Sequence, residues 1–182
     1  MKQESIARHL DLKAFAQSTG TLVGHDLLSK YGRLMQETQG LGADYMLKWS
    51  AQGELRTEDA SAEQVWLHLT VDARLPLICQ RCMNPVDIEV VVKRSFRFVD
   101  NEEAADAQDA QAEEDVLVLS QEFSLSDLIE DEVLMGLPVV PRHDKCPVAV
   151  KLAVADPGFD AASAEKRNPF AVLAKLQPGK LS

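Results

Sequence analysis

Val65-Trp-Leu-His-Leu-Thr-Val-Asp-Ala-Arg-Leu-Pro-Leu-Ile78, Cys79-Gln-Arg-Cys-Met-Asn-Pro85 and Val86-Asp-Ile-Glu-Val-Val-Val-Lys-Arg-Ser-Phe-Arg-Phe-Val99 follow one another without a break. The first run alternates Val65, Leu67, Leu69 and Val71 with Trp66, His68, Thr70 and Asp72, which is the period of a half-buried strand. The third run resumes that period through Ile88, Val90 and Val92, and later Phe96 and Phe98. The stretch between them is a compact turn, and a connection that short supports only antiparallel pairing. A long β-hairpin with two cysteines at its tip is therefore the structural centre of the sequence.

Toward the N-terminus, Asp44 to Ala51 reads as another strand, with Tyr45, Leu47 and Trp49 on one parity. Leu12, Phe15 and Ala16 have helical spacing, with Asp11 placed to cap them and Gly20 to close the segment. Leu27, Leu28, Tyr31, Leu34 and Met35 suggest a second helical or irregular stretch before a glycine-rich turn from Gly32 to Gly42.

Toward the C-terminus, residues 100–115 hold many carboxylates, no cation and no large apolar side chain. They read as a mobile, solvated acidic loop, or more pointedly as an arm that docks a basic protein or shields a basic site. Val116 to Leu119 reads as a short strand. Ser124 then caps a helix whose core stripe is Leu125, Leu128, Ile129 and Val133, with Glu130, Asp131 and Glu132 on its wet side. Pro138 and Pro141 end that helix and force an extended exit toward His143. Asn168 and Pro169 open a C-terminal helical segment over 168–176, with Phe170, Leu173 and Leu176 on its apolar edges. That segment either folds back onto the sheet or serves as a recognition helix for a partner. The pattern predicts one α+β domain over 1–182: an antiparallel sheet, curled toward a barrel, around the hairpin and with helices packed on it.

The chain has 182 residues, 46% of them hydrophobic, a mean hydropathy of −0.15 and a net charge of −10 with pI near 4.8. That composition supports a genuine core and excludes wholesale disorder. Its longest apolar runs, such as Val90-Val91-Val92, are far too short to span a bilayer. Met1 to Ser5 lead into His9 and Asp11 without the apolar stretch of a secretory signal, and three cysteines do not make a disulfide framework. The cytoplasm is the expected address, with no membrane partner.

Chemistry concentrates in Cys79-Gln-Arg-Cys82 and His143-Asp-Lys-Cys146. A Cys-x-x-Cys turn folds two sulfurs to the same side, and His-x-x-Cys offers a second pair with the same bite. Together they would form a closed Cys3His zinc site, clipping the helix exit to the hairpin tip. Two other readings stay open: small buried structural thiols, or a redox pair, although a hairpin is not the strand-to-helix setting of thioredoxin-type sites. A water, or His25 or His68 brought in by the fold, stands as a substitute for His143. Charge here reverses the overall trend: Arg74, Arg81, Lys93, Arg94 and Arg97 lie on the hairpin, and Arg142 and Lys145 flank the second pair. If the two segments meet, they form a basic patch suited to RNA phosphates; the plain alternative is charge alternation on a solvated sheet face.

No catalytic set emerges. Gly20-Thr-Leu-Val-Gly24 lacks the ending of a phosphate loop, and no motif orders Ser, His and Asp into a triad. Consecutive Glu130, Asp131 and Glu132 point in different directions on a helix and cannot share one ion. The sequence is not that of an enzyme, and no small-molecule substrate is expected.

Leu77 to Val86, Leu128 to His143 and Asn168 to Leu176 are three ordered motifs that resemble the YceD-like family, the large ribosomal RNA subunit accumulation proteins. The resemblance covers the chain from about Val65 onward. It implies a role in synthesis, processing or stability of large-subunit (23S) ribosomal RNA, in ribosome biogenesis and without catalysis. The implied partners are ribosomal RNA and large-subunit ribosomal or assembly proteins. Some relatives carry a fuller cysteine-rich segment where this chain has His143 and Cys146, which raises the zinc reading. The competing function is an acidic adaptor that binds a basic ribosomal protein and affects RNA only indirectly.

Overall fold

The hairpin forms with a register that runs its whole length, from Ile78 opposite Pro85 to Val65 opposite Phe98. In the computed structural model, which describes residues 9–58, 62–121, 123–151 and Val154, Asp156, Gly158 and Phe170, it is the centre of a five-stranded sheet. The strands are β1 (Thr21–Leu27), β2 (Met46–Glu58), β3 (Ala62–Ile78), β4 (Pro85–Val99) and β5 (Asp115–Val118), in that spatial order. β1 to β4 pair antiparallel, whereas β4 and β5 pair parallel. The α+β class holds. The sheet is mixed instead of the expected all-antiparallel one, and it is open, with β1 and β5 as edges, so it does not close into a barrel.

Among the described residues four α-helices accompany it: α1 (Leu12–Gln17), α2 (Gly32–Glu37), α3 (Glu102–Asp109) and α4 (Leu125–Met135). Asp11 caps α1 through the Ala14 N–H at 3.0 Å, and Ser124 caps α4 through the Asp127 N–H at 3.2 Å. α1, α2 and α4 cover one face of the sheet, where Leu47, Leu67, Leu69, Val71, Leu75 and Phe96 meet Leu12, Leu34, Leu125, Ile129 and Val133 in one core. The odd residues of β3 from Val65 to Leu77 are all buried. Most even ones face the opposite, solvent side.

The acidic segment read as a loop contains α3. A parallel β4–β5 pair requires a long crossover, and α3 is that crossover. Asn101 accepts the Ala104 N–H at 2.8 Å to cap it, Glu102 and Glu103 suit the positive end of its dipole, and Ala105 is its buried contact. A second correction concerns α4, where Glu130 and Glu132 are buried instead of wet. Glu130 accepts the N–H groups of Arg33 and Leu34 at 2.7 and 3.1 Å and the Arg33 Nε at 3.0 Å. It thereby caps α2, whose own N-cap Tyr31 supplies no side-chain hydrogen bond.

The chain divides into two units, Met1–Cys146 and Pro147–Ser182, and every described helix and strand lies in the first. The helix expected over 168–176, with Leu173 and Leu176, lies outside the described residues apart from Phe170. Among the described residues no helix is long and apolar enough to cross a membrane.

Candidate metal centre

The hairpin tip is shaped by its own backbone. The Cys79 N–H donates to the Asn84 carbonyl at 2.9 Å and the Met83 N–H to the Cys79 carbonyl at 2.8 Å. Met83 takes a φ of +59°, a left-handed conformation that non-glycine residues adopt at a cost. The exit from α4 lies against this turn. Gly136, just past α4, packs so closely on Val90 that a Cβ there would sit 2.7 Å from the Val90 Cγ1. Five residues later, the Gln80 N–H donates to the Pro141 carbonyl at 2.9 Å.

That convergence assembles Cys79, Cys82, His143 and Cys146, whose ligand atoms all lie within 4.8 Å of one another. The His143 N–H donates to the Cys79 Sγ at 3.4 Å, and the Cys82 Sγ lies 3.4 Å from the His143 Nδ1. Cys79 is buried; the other three are half-buried. All three thiols are free.

Electrostatics at the cluster favour thiolates on the hairpin. Burial works against ionising Cys79, but the N–H groups of His143, Arg81 and Cys82 outweigh it and hold the thiol at about 5. Burial likewise opposes the Cys82 thiolate, and hydrogen bonds from Asn84 bring its pKa below the ordinary value. Hydrogen bonding to Cys79, then to Cys82, raises His143. Burial and the two neighbouring sulfurs push Cys146 up to about 11.

The donor set fits a metal. Tetrahedral zinc with sulfur at about 2.3 Å places its ligand atoms about 3.8 Å apart, so even the widest pair here has only about 1 Å to contract. Three sulfurs and one imidazole suit zinc, and four protein ligands leave no open position for substrate. A disulfide would use two of the sulfurs and leave the third and the imidazole without a role. The substitutes for His143 are elsewhere: His25 is exposed on β1, and His68 bonds Ser95 and Glu54 on the outer sheet face.

The expected basic patch is only partly assembled. Arg81, Arg142 and Lys145 are exposed around the cluster, and an Arg81 Nη donates to the His143 carbonyl at 3.0 Å. Arg74 lies a few residues down β3, paired with Asp87 at 2.5 Å. Lys93, Arg94 and Arg97 lie farther along β4, from about 27 Å (Lys93) to about 40 Å (Arg97) from the strand's start at the tip. There Arg94 pairs with Asp115 and Arg97 with Glu114, so the acidic crossover neutralises them. Of the seven cations, Arg81, Arg142 and Lys145 are the ones that lie at the cluster.

Sequence reading missed a polar cluster on the outer sheet face. His68 bridges the Ser95 hydroxyl at 2.8 Å and the Glu54 carboxylate at 2.7 Å, and Arg56 stacks 4.1 Å above Trp66. Only the cross-strand register brings these residues together, so no local spacing marks them. The serine–imidazole–carboxylate line sits on a sheet face. Neither His68 nor Ser95 lines the cavity of about 470 Å³ that opens by Lys13, Gln64, Arg97 and Asn101, and that cavity contains none of the cysteines.

Residues 67–177 match the family model described as large ribosomal RNA subunit accumulation protein YceD. The match takes in all four members of the Cys/His cluster. A relative of that same name from Haemophilus influenzae is 32% identical over 109 residues, covering 59% of this chain and 62% of that protein. The chain therefore aligns with less than two thirds of that relative's length. No solved structure matches it.

Proposed function

This chain belongs to the YceD family, and from that premise we propose a non-catalytic factor that supports synthesis, processing or stability of large-subunit (23S) ribosomal RNA during ribosome assembly. The observation that carries the physical reading is the meeting of the hairpin tip with the segment after Pro141. In this reading Cys79, Cys82, His143 and Cys146 hold a zinc ion whose task is structural. The ion locks two segments far apart in sequence, and so fixes Arg81, Arg142 and Lys145 in one orientation.

Those three cations on a chain of net charge −10 are the contact for RNA phosphates, where each neutralised phosphate releases counterions. The excess of carboxylates over cations limits nonspecific grip on a polyanion, which suits a factor that engages a precursor and leaves. Replacing Arg81→Glu together with Arg142→Glu is expected to abolish co-sedimentation with large-subunit precursors. It should also flatten the salt dependence of RNA binding by about 1.4 in the log–log slope. Unchanged association would defeat the corner as a contact surface.

The adaptor reading has its own supporting observation. α3 presents Glu102, Glu103, Asp106 and Asp109 to solvent from a capped helix. Binding of purified basic ribosomal proteins without binding of purified RNA would favour it.

A further inference from the structure

Beside the cations of this corner the molecule exposes apolar side chains that phosphate binding does not use. Val139 is 93% exposed, Met83 72% and Val140 52%. Met83 is two residues from Arg81 and Val140 two from Arg142, and the Gln80–Pro141 hydrogen bond joins the two segments, so apolar and cationic side chains share this corner.

The Val-Val step is also held in place. Gly136 is pressed against Val90 at one end, and the Pro141 carbonyl accepts the Gln80 N–H at the other. Pro138 and Pro141 fix their own φ and restrict the residue before each to extended backbone. Little chain entropy is therefore lost when Val140, the residue before Pro141, meets a partner. Met83 sits on the same hairpin tip, its left-handed backbone turning the chain just past Cys82.

We propose that this corner takes unpaired RNA, its cations on the phosphates and Met83, Val139 and Val140 against exposed base faces. The inference rests on the RNA reading given above. A double helix offers this surface phosphates, riboses and 2′-hydroxyls, while its base faces are stacked out of reach. Pressing valines against that polar backbone would desolvate phosphates without compensation. Single-stranded segments, bulges and loops expose base faces, and aliphatic side chains such as these remove that apolar surface from water. Cations beside an apolar ridge thus fit the two halves of an unpaired nucleotide.

The test uses the full-length untagged protein, a labelled mixed-sequence RNA strand, and the same strand annealed to its complement. Fluorescence anisotropy is expected to give at least about tenfold tighter binding of the single strand. Val139→Ser with Val140→Ser should weaken single-strand binding about tenfold, by loss of buried apolar area, while leaving duplex binding and thermal stability as they are. Equal affinity for the two RNAs, or a double variant that binds the single strand as wild type does, overturns the inference and leaves the phosphate contact standing. Failure to bind either RNA overturns both readings. Direct binding of a labelled acidic apolar peptide, where neither RNA binds, does the same and assigns the corner to a protein.

Discussion

Glu130→Ala should be among the most damaging single substitutions in the described core, and its cost follows from three hydrogen bonds. Glu130 is only 7% exposed and caps α2 from a different helix. Removing its carboxylate orphans the Leu34 N–H, in a residue with no exposure, at about 2 kcal/mol, and the half-buried Arg33 N–H at about 1 kcal/mol. The Arg33 guanidinium adds little, because its side chain is 47% exposed and keeps Asp131 as a partner. The sum of about 3 kcal/mol corresponds to a fall in Tm of about 6–12 °C for a chain of this size. Glu130→Gln retains an acceptor oxygen and should lose about 1 kcal/mol, the charge-assisted part. Urea unfolding followed by Trp49 and Trp66 fluorescence measures both. A Glu130→Ala loss below about 1 kcal/mol, or equal losses for the two variants, would refute the capping account.

Two further outcomes concern the same face of the sheet. Glu132 is buried, and desolvation raises its pKa, with Arg94 only partly offsetting this and Asp115 and Asp131 adding to it. A carboxyl raised in the folded state destabilises the fold above that pKa and ceases to do so as pH falls toward the unfolded value. Glu132→Gln should therefore raise Tm at pH 8, with the gain shrinking toward pH 4; a loss at pH 8 contradicts this. Gly24→Ala should cost about 1–3 kcal/mol by overpacking. Its Cβ would lie 2.3 Å from the Trp49 ring, which cannot retreat without breaking the Trp49 Nε1 bond to Asp26 at 2.7 Å. A thermal melt indistinguishable from wild type would contradict the clash.

How legible these features are in the sequence follows from where their partners come from. The β3–β4 hairpin is readable because its apolar period and its turn are both local. The Cys/His cluster is readable too, since ligand type and spacing survive without knowledge of the fold. β1 is not. Its inward positions are Leu22, Gly24 and Asp26, and the last two serve Trp49, as space beneath its ring and as acceptor for its indole N–H. An alternation with one apolar member in three carries no strand signal. The crossover α3 buries only Ala105, so composition reads as loop where topology demands a helix. Glu130 and Glu132 look solvated because their partners Arg33, Leu34 and Arg94 are remote in sequence. Strand length explains the divided basic patch: Arg94 and Arg97 are close to the tip in the chain but far along an extended element.

The corner, the clip and the RNA reading all depend on the four ligands acting as one site. Elemental analysis of untagged protein, alongside Cys79→Ser, tests that most directly. The account predicts one zinc per wild-type chain, none in the variant, and loss of thermal stability in wild type on chelation that the variant does not show. Metal-free wild-type protein that melts identically with and without zinc would contradict it.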